Sequence, residues 1–305
     1  MTEDHPDDAG SDIDDLPADE QTGTGADDVA ATPAPAGVAA RPRSRRRWPS
    51  VAIVAAVVAV AAVVVAVVRQ PPAEPEGTVV VFGDSLSVEA REAFAAELAA
   101  TSGARVTNEA VPGMSPCDAV PAMEAAASAP EPPDVVVIQF VGNNESGCSR
   151  GPDGQRLTGQ ALADRVEADV RAAVEMFAAA GSRVVLVGGP DAPGLPGEAS
   201  LLIADAFEEI VNEWAGRDLG RVRYADAAAT VTGPDHRYVP RLPCRPDERA
   251  ECQDGEVQVR ATDEVHFCPT NDFDDALRCT VPSPGAVRFG TEMARVARLA
   301  LDPGY

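Results

Sequence analysis

Thr78-Val79-Val80-Val81-Phe82-Gly83-Asp84-Ser85-Leu86-Ser87 carries a short, valine-rich apolar run straight into three turn-favouring residues. A run of that length and composition reads as a buried strand. Gly83, Asp84 and Ser85 each favour a turn, and residues 86–100 continue with a helical pattern. A serine hydroxyl therefore sits where a buried strand gives way to a helix, a common place for a nucleophile.

Working outward, four more strand-like runs follow at residues 105–110, 134–140, 183–187 and 222–225, most of them rich in valine and bounded by Gly, Pro or Asp. Helical patterns lie between them. In the clearest, Leu162, Val166, Val170, Val174 and Phe177 recur at steps of about four, which puts one apolar face on the sheet. Gly181 then ends that helix. Residues 198–215 and 284–301 read the same way, the latter with Ser283 as N-cap and Pro284 at its first position. This alternation predicts an α/β fold: a parallel sheet covered by helices on both faces, binding ligands at the carboxyl ends of its strands. Ser85, Gly113 and the pair Asn143-Asn144 each follow a predicted strand, so they converge on one sheet edge. Residues 112–133, 145–159, 188–197 and 231–262 read as loops walling that edge, the last of them irregular and disulfide-pinned.

The segment before residue 78 belongs to no packed core. Residues 1–40 are rich in Asp, Glu, Gly, Pro, Ala and Thr and almost lack large apolar side chains, so they cannot offset the entropy of ordering. Arg41, Arg43, Arg45, Arg46 and Arg47 complete an expected disordered, acidic tail with a basic cluster over 1–47. Residues 48–69 are expected to form one transmembrane helix. Its apolar core, 51–68, spans roughly 27 Å at about 1.5 Å per residue, close to the ~30 Å hydrocarbon layer. The arginines precede it, so the positive-inside rule keeps the N-terminus cytoplasmic and sends the remainder outside. A cleaved secretory signal is the weaker reading, because nearly fifty hydrophilic residues come first and no clear A-x-A site follows. Residues 70–77 are a Pro-rich linker, and 78–305 form the folded domain.

All six cysteines, Cys117, Cys148, Cys244, Cys252, Cys268 and Cys279, fall in the part expected outside the membrane, where disulfides persist. We favour Cys117–Cys148, Cys244–Cys252 and Cys268–Cys279, since the last two pairs close short local loops. Zinc is the weaker reading: there is no Cys-x-x-Cys pair, and His266 alone among the histidines lies close to a cysteine. Removing the 11 acidic residues and five arginines of 1–68 from the totals of 49 and 25 leaves 38 against 20, a formal charge near −18. Such a surface repels polyanions on average, which counts against nucleic acid as a partner.

Asp263-Glu264-Val265-His266, near the other end of the domain, supplies a histidine with a carboxylate three residues before it. A serine hydroxyl is a weak nucleophile until a neighbouring base takes its proton, and the base needs a group to fix its tautomer. Ser85, His266 and Asp263 can fill those roles. Acyl transfer also needs donors for the developing oxyanion. Candidates are the backbone N–H groups of Ser85 and Gly113 and a side-chain amide from Val141-Gly142-Asn143-Asn144-Glu145. The remaining histidine of the domain, His236, reads as a surface loop residue, Asp84 as a turn-holding residue and Glu145 as a rim residue.

With these four blocks in this order, the chain resembles the SGNH (GDSL) hydrolase family, which carries Ser in Gly-Asp-Ser, a Gly, an Asn in Gly-x-Asn-Asp, and Asp-x-x-His. The resemblance covers about the whole domain and implies a three-layer α/β/α, flavodoxin-like fold. It implies Ser85 as nucleophile, His266 as general base, Asp263 as its orienting group, and Gly113 and one Asn in the oxyanion hole. The third block departs from the family pattern. Asn144, counted from Gly142, is preferred because a glycine suits the tight strand exit; counting along the strand points instead to Asn143. The implied activity is a membrane-anchored serine esterase acting on an ester-bearing small molecule, glycan or lipid, with no metal or organic cofactor. An O-acyltransferase acting on envelope glycans and an inactive glycan-binding module are the alternatives.

Overall fold

A computed structural model describes residues 77–270, 273–274 and 277–302. The tail, basic cluster, apolar run and most of the linker lie outside the described residues. Among the described residues no helix is long and apolar enough to cross a membrane.

Five parallel strands, β1 (Thr78–Gly83), β2 (Arg105–Asn108), β3 (Val135–Gln139), β4 (Arg183–Val187) and β5 (Val222–Ala225), form one sheet in the order β2-β1-β3-β4-β5. This is the flavodoxin-like order, in which the chain reverses direction across the sheet between β1 and β3. The residues on the central strands alternate between two cores. Val79, Val81, Val135, Val137, Val185 and Val187 face one, while Phe82, Val136, Ile138, Val184 and Leu186 face the other. Both faces are buried, which is why these strands read as continuous apolar runs.

Helices α1 (Ser85–Thr101) and α5 (Pro284–Leu301) cover the first face. Leu86, Phe94 and Leu98 of α1 and Phe289 and Met293 of α5 are almost wholly buried there, each contributing about 1.5–3 kcal/mol of apolar transfer. Helices α2 (Pro116–Ala127), α3 (Gly159–Ala179) and α4 (Ala199–Ala215) cover the second face. The predicted strands and helices appear within a residue or two of their expected ends, and Ser283 caps α5 by accepting from the Ala286 N–H.

One helix was not anticipated. Residues 112–133, expected as loop, contain α2, which begins at Pro116 and has Pro121 inside it. Its start is fixed by Asp118, whose Oδ2 accepts from the Ser115 N–H, as in a capping box. The region 231–262 is largely irregular, as expected, but holds a two-stranded antiparallel ribbon, β6 (Arg241–Pro243) with β7 (Glu256–Gln258). Behind it, Arg288 of α5 forms a buried ion pair with Glu248, bonded at 2.6 Å through both Nε and Nη2. The disulfides are Cys117–Cys148, Cys244–Cys252 and Cys268–Cys279. The second closes the loop beyond β6, and the third closes the segment just after His266.

Candidate active site

At the end of β1 the chain passes through Gly83 and Asp84 into α1. A Cβ at Gly83 would lie 2.4 Å from Ser87 Oγ and 2.7 Å from the Gln139 carbonyl, so only glycine lets β1 leave the sheet here. Asp84 is the N-cap of α1: its Oδ1 accepts from the Leu86 N–H at 3.1 Å. Its Oδ2 accepts from the Val141 N–H at 2.7 Å and from Asn143 Nδ2 at 3.2 Å. One buried carboxylate thus ties the nucleophile turn to the exit of β3. Burial pushes the Asp84 carboxyl up to about 6, against the opposing pull of the Val141 and Leu86 N–H bonds.

Ser85 opens α1, so its N–H is one of the helix donors without an intrahelical partner. Its hydroxyl lies 3.0 Å from His266 Nε2. His266 Nδ1 lies 2.6 Å from Asp263 Oδ2. The turn between them is closed by Asp263 Oδ1, which accepts from the N–H groups of Val265 and His266 at 3.0 Å each. Glu264 adopts a left-handed conformation, φ 62°, to make that turn. Burial alone would raise the Asp263 carboxyl, but the hydrogen bonds from His266 and Val265 outweigh it and hold the group below the usual carboxylate value. An ionised Asp263 keeps the hydrogen on Nδ1, leaving the Nε2 lone pair for the serine hydroxyl. Two peptides 181 residues apart thus meet in one hydrogen-bonded chain.

The block after β3 carries the two candidate asparagines, and they have different partners. Gly142 has φ 108°, so a glycine is needed there, as the sequence suggested. Asn144 Nδ2 donates to the Leu157 carbonyl at 2.9 Å, tying it to the loop ahead of α3. Asn143 directs its amide to Asp84, the residue next to the nucleophile. Its backbone carbonyl is held by Ser115 Oγ at 2.7 Å. Gly113 lies in the turn after β2 with φ 75°. Glu145 is an exposed rim residue paired with Arg156. His236 is exposed too, 3.9 Å from Asp226.

Two buried ionisable residues escaped sequence reasoning. Glu89, one turn after Ser85 on α1, accepts from the N–H groups of Phe267 at 2.6 Å and Cys268 at 2.9 Å. Its spacing from Ser85 was the available signal. Arg260, fully buried, donates to the carbonyls of Asp191 at 2.9 Å, Glu264 at 3.0 Å and Val265 at 2.9 Å. Nothing in its neighbourhood, Val259-Arg260-Ala261, marks it. Opposite charges therefore hold the His266 loop from its two sides, one through N–H groups and the other through carbonyls. Burial raises the Glu89 carboxyl to about 7 and lowers the Arg260 guanidinium to about 10.

The sign of the pH effect follows from the raised carboxyls. Asp84 and Glu89 bind protons more tightly in the folded chain than in the unfolded one. Their contribution to stability is full below their ordinary values near 4 and is lost as pH rises through about 6 and about 7. The groupings that resemble metal-ligand sets, Glu89 with Cys268 and Cys279 and Asp118 with Cys117 and Cys148, are each built on a disulfide. Their sulfurs are bonded to one another, which leaves one carboxylate apiece.

A model of the GDSL-like lipase/acylhydrolase family matches residues 81–267, more than half of the chain, from β1 through the histidine. The chain belongs to that family. Membership makes it an esterase or acylhydrolase, a carboxylic ester hydrolase by class. No curated protein sequence matches it. Among solved structures, a protein named for the G-D-S-L lipolytic family from Desulfitobacterium hafniense DCB-2 is 17% identical. That match covers 72% of this chain and 99% of the other, with a TM-score of 0.45. A structure of TesA is 15% identical, covering 74% of this chain and 98% of its own, with a TM-score of 0.43. The psychrotrophic esterase EstA from Pseudoalteromonas sp. is 17% identical, covering 52% and 86%, with a TM-score of 0.36.

Proposed function

We propose that the protein is a membrane-tethered serine esterase whose catalytic domain lies outside the cytoplasmic membrane. Its substrate is an acyl ester, a small acyl group on an envelope glycan or lipid. The observation that carries the catalytic part is the linear chain Ser85 Oγ, His266 Nε2, His266 Nδ1 and Asp263 Oδ2, with contacts of 3.0 and 2.6 Å. Three disulfides favour an oxidising compartment, and the apolar run 51–68 behind an arginine cluster favours a tether.

In this reading Ser85 Oγ attacks the ester carbonyl as Nε2 takes its proton, and Asp263 balances the imidazolium. The oxyanion receives hydrogen bonds from the N–H groups of Ser85 and Gly113 and from Asn143 Nδ2. Collapse breaks the C–O bond, and the alcohol leaves with the proton from Nε2. Water then gives a proton to Nε2 and attacks the acyl-enzyme, which restores Ser85 and releases the acid.

A fluorophosphonate probe applied to the full-length protein tests the assignment. The expected result is one adduct on Ser85, located by mass spectrometry; an adduct on another serine removes the nucleophile assignment. The oxyanion assignment has its own test. Asn143→Ala should lower kcat for 4-nitrophenyl acetate by about 10²–10³, while Asn144→Ala, whose amide serves Leu157, should lower it less than about tenfold. The reverse order would assign the role to Asn144.

A further inference from the structure

We propose that Glu89 is a positioning residue for His266. One carboxylate oxygen fixes the loop that carries the imidazole, while the other balances the ring's charge whenever Nε2 holds a proton. The proposal rests on His266 being the general base.

The two oxygens of Glu89 are used unequally. Oε2 accepts from the Phe267 and Cys268 N–H groups, immediately after His266. Among the described residues Oε1 has no hydrogen-bond partner, and the side chain is 0% exposed. An orphaned buried carboxylate oxygen is costly and calls for a reason. Anchoring two N–H groups does not supply one, because a glutamine carbonyl would accept both bonds without burying a charge. Oε1 instead lies 4.0 Å from His266 Nε2. That is too long for a hydrogen bond and short enough for Coulombic attraction between a buried carboxylate and a partly exposed ring. The distance suits the chemistry. A carboxylate bonded to Nε2 would compete for the proton that must reach the leaving alcohol, whereas one held just beyond bonding range stabilises the imidazolium and leaves the proton free to move.

The charges around Glu89 act in both directions. His266, when protonated, and Arg260 favour its ionised form, while Asp263 opposes it. Around the groove that Glu89 borders, Arg278 pairs with Asp274 and Glu92, and Glu248 with Arg288. Burial lifts the Glu89 carboxyl to about 7, and its Oε1 stands 4.0 Å from His266 Nε2. Two ionisable groups this close should each feel a change of charge on the other.

The test compares pH profiles of kcat/KM for full-length wild type and Glu89→Gln with 4-nitrophenyl acetate. Glutamine keeps an acceptor for both N–H groups and removes the charge. The acid limb should move to lower pH by about half a unit or more, because an imidazole without an anionic neighbour loses its proton more easily. The plateau rate should fall severalfold. A variant whose rate or thermal midpoint changes while the acid limb stays in place would make Glu89 a structural anchor only and overturn the proposal. Should Glu89→Gln fail to fold, an NMR titration of the His266 ring in the wild-type protein decides. A two-step curve with one inflection near pH 7 supports the pairing, and a single step overturns it. The ring titration needs no turnover, so it also separates failure of this proposal from failure of the esterase reading.

Discussion

Ser85→Ala is expected to lower kcat/KM for 4-nitrophenyl acetate by at least about 10³-fold, leaving only the acceleration that binding and the oxyanion donors supply. The change removes the attacking oxygen and little else. Ser85 is 7% exposed at the first position of α1, and among the described residues its hydroxyl bonds only to His266. The cap that starts the helix belongs to Asp84. Fold and thermal midpoint should therefore stay close to wild type, which separates lost chemistry from lost structure. Adding His266→Ala should cost little more, because nucleophile and base act as one unit. Equal rates for wild type and Ser85→Ala would remove catalysis from this site and favour the glycan-binding alternative.

The second large effect is expected at Arg260. Arg260→Met keeps much of the side-chain volume but leaves the carbonyls of Asp191, Glu264 and Val265 without their donor. Hydrogen bonds from a charged donor are worth about 1.5–3 kcal/mol each, and an abandoned buried acceptor adds its own penalty. Relief from burying the guanidinium offsets part of this, as its depression to about 10 indicates. A net loss of about 3 kcal/mol in urea-induced unfolding is the expected balance. Activity should fall by about 10²-fold as well, because two of the three carbonyls lie in the turn between Asp263 and His266, and a shift of about 1 Å there misplaces the base. Arg260→Lys should recover only part of both, since a single ammonium cannot reproduce the planar fork. Wild-type stability and rate in Arg260→Met would show that the turn holds itself without Arg260.

Much of the fold was legible because its signals are local. The valine runs of β1, β3 and β4 are buried on both faces, so they stand out without any knowledge of their neighbours. The helix over 159–179 shows one apolar face at regular steps. Helix α2 was hidden because Pro121 breaks the helical preference of its sequence, while Asp118 and the disulfide at Cys117 hold its start from outside the periodic pattern. The choice between Asn143 and Asn144 was hidden for another reason. Two adjacent amides look alike in one dimension, and only their partners, Asp84 and Leu157, tell them apart.

The order of residues by itself determined a parallel α/β domain, a serine at a strand-to-helix turn and an Asp-x-x-His segment near its far end, because strand, turn and helix preferences act over a few neighbouring side chains. Only the tertiary structure decided that Ser85 Oγ and His266 Nε2 stand 3.0 Å apart, which asparagine faces the nucleophile turn, and that Glu89 and Arg260 hold the histidine loop. Those contacts join segments up to 181 residues apart. Burial and charge at such places depend on what the folded chain brings alongside, and no stretch of sequence carries that on its own.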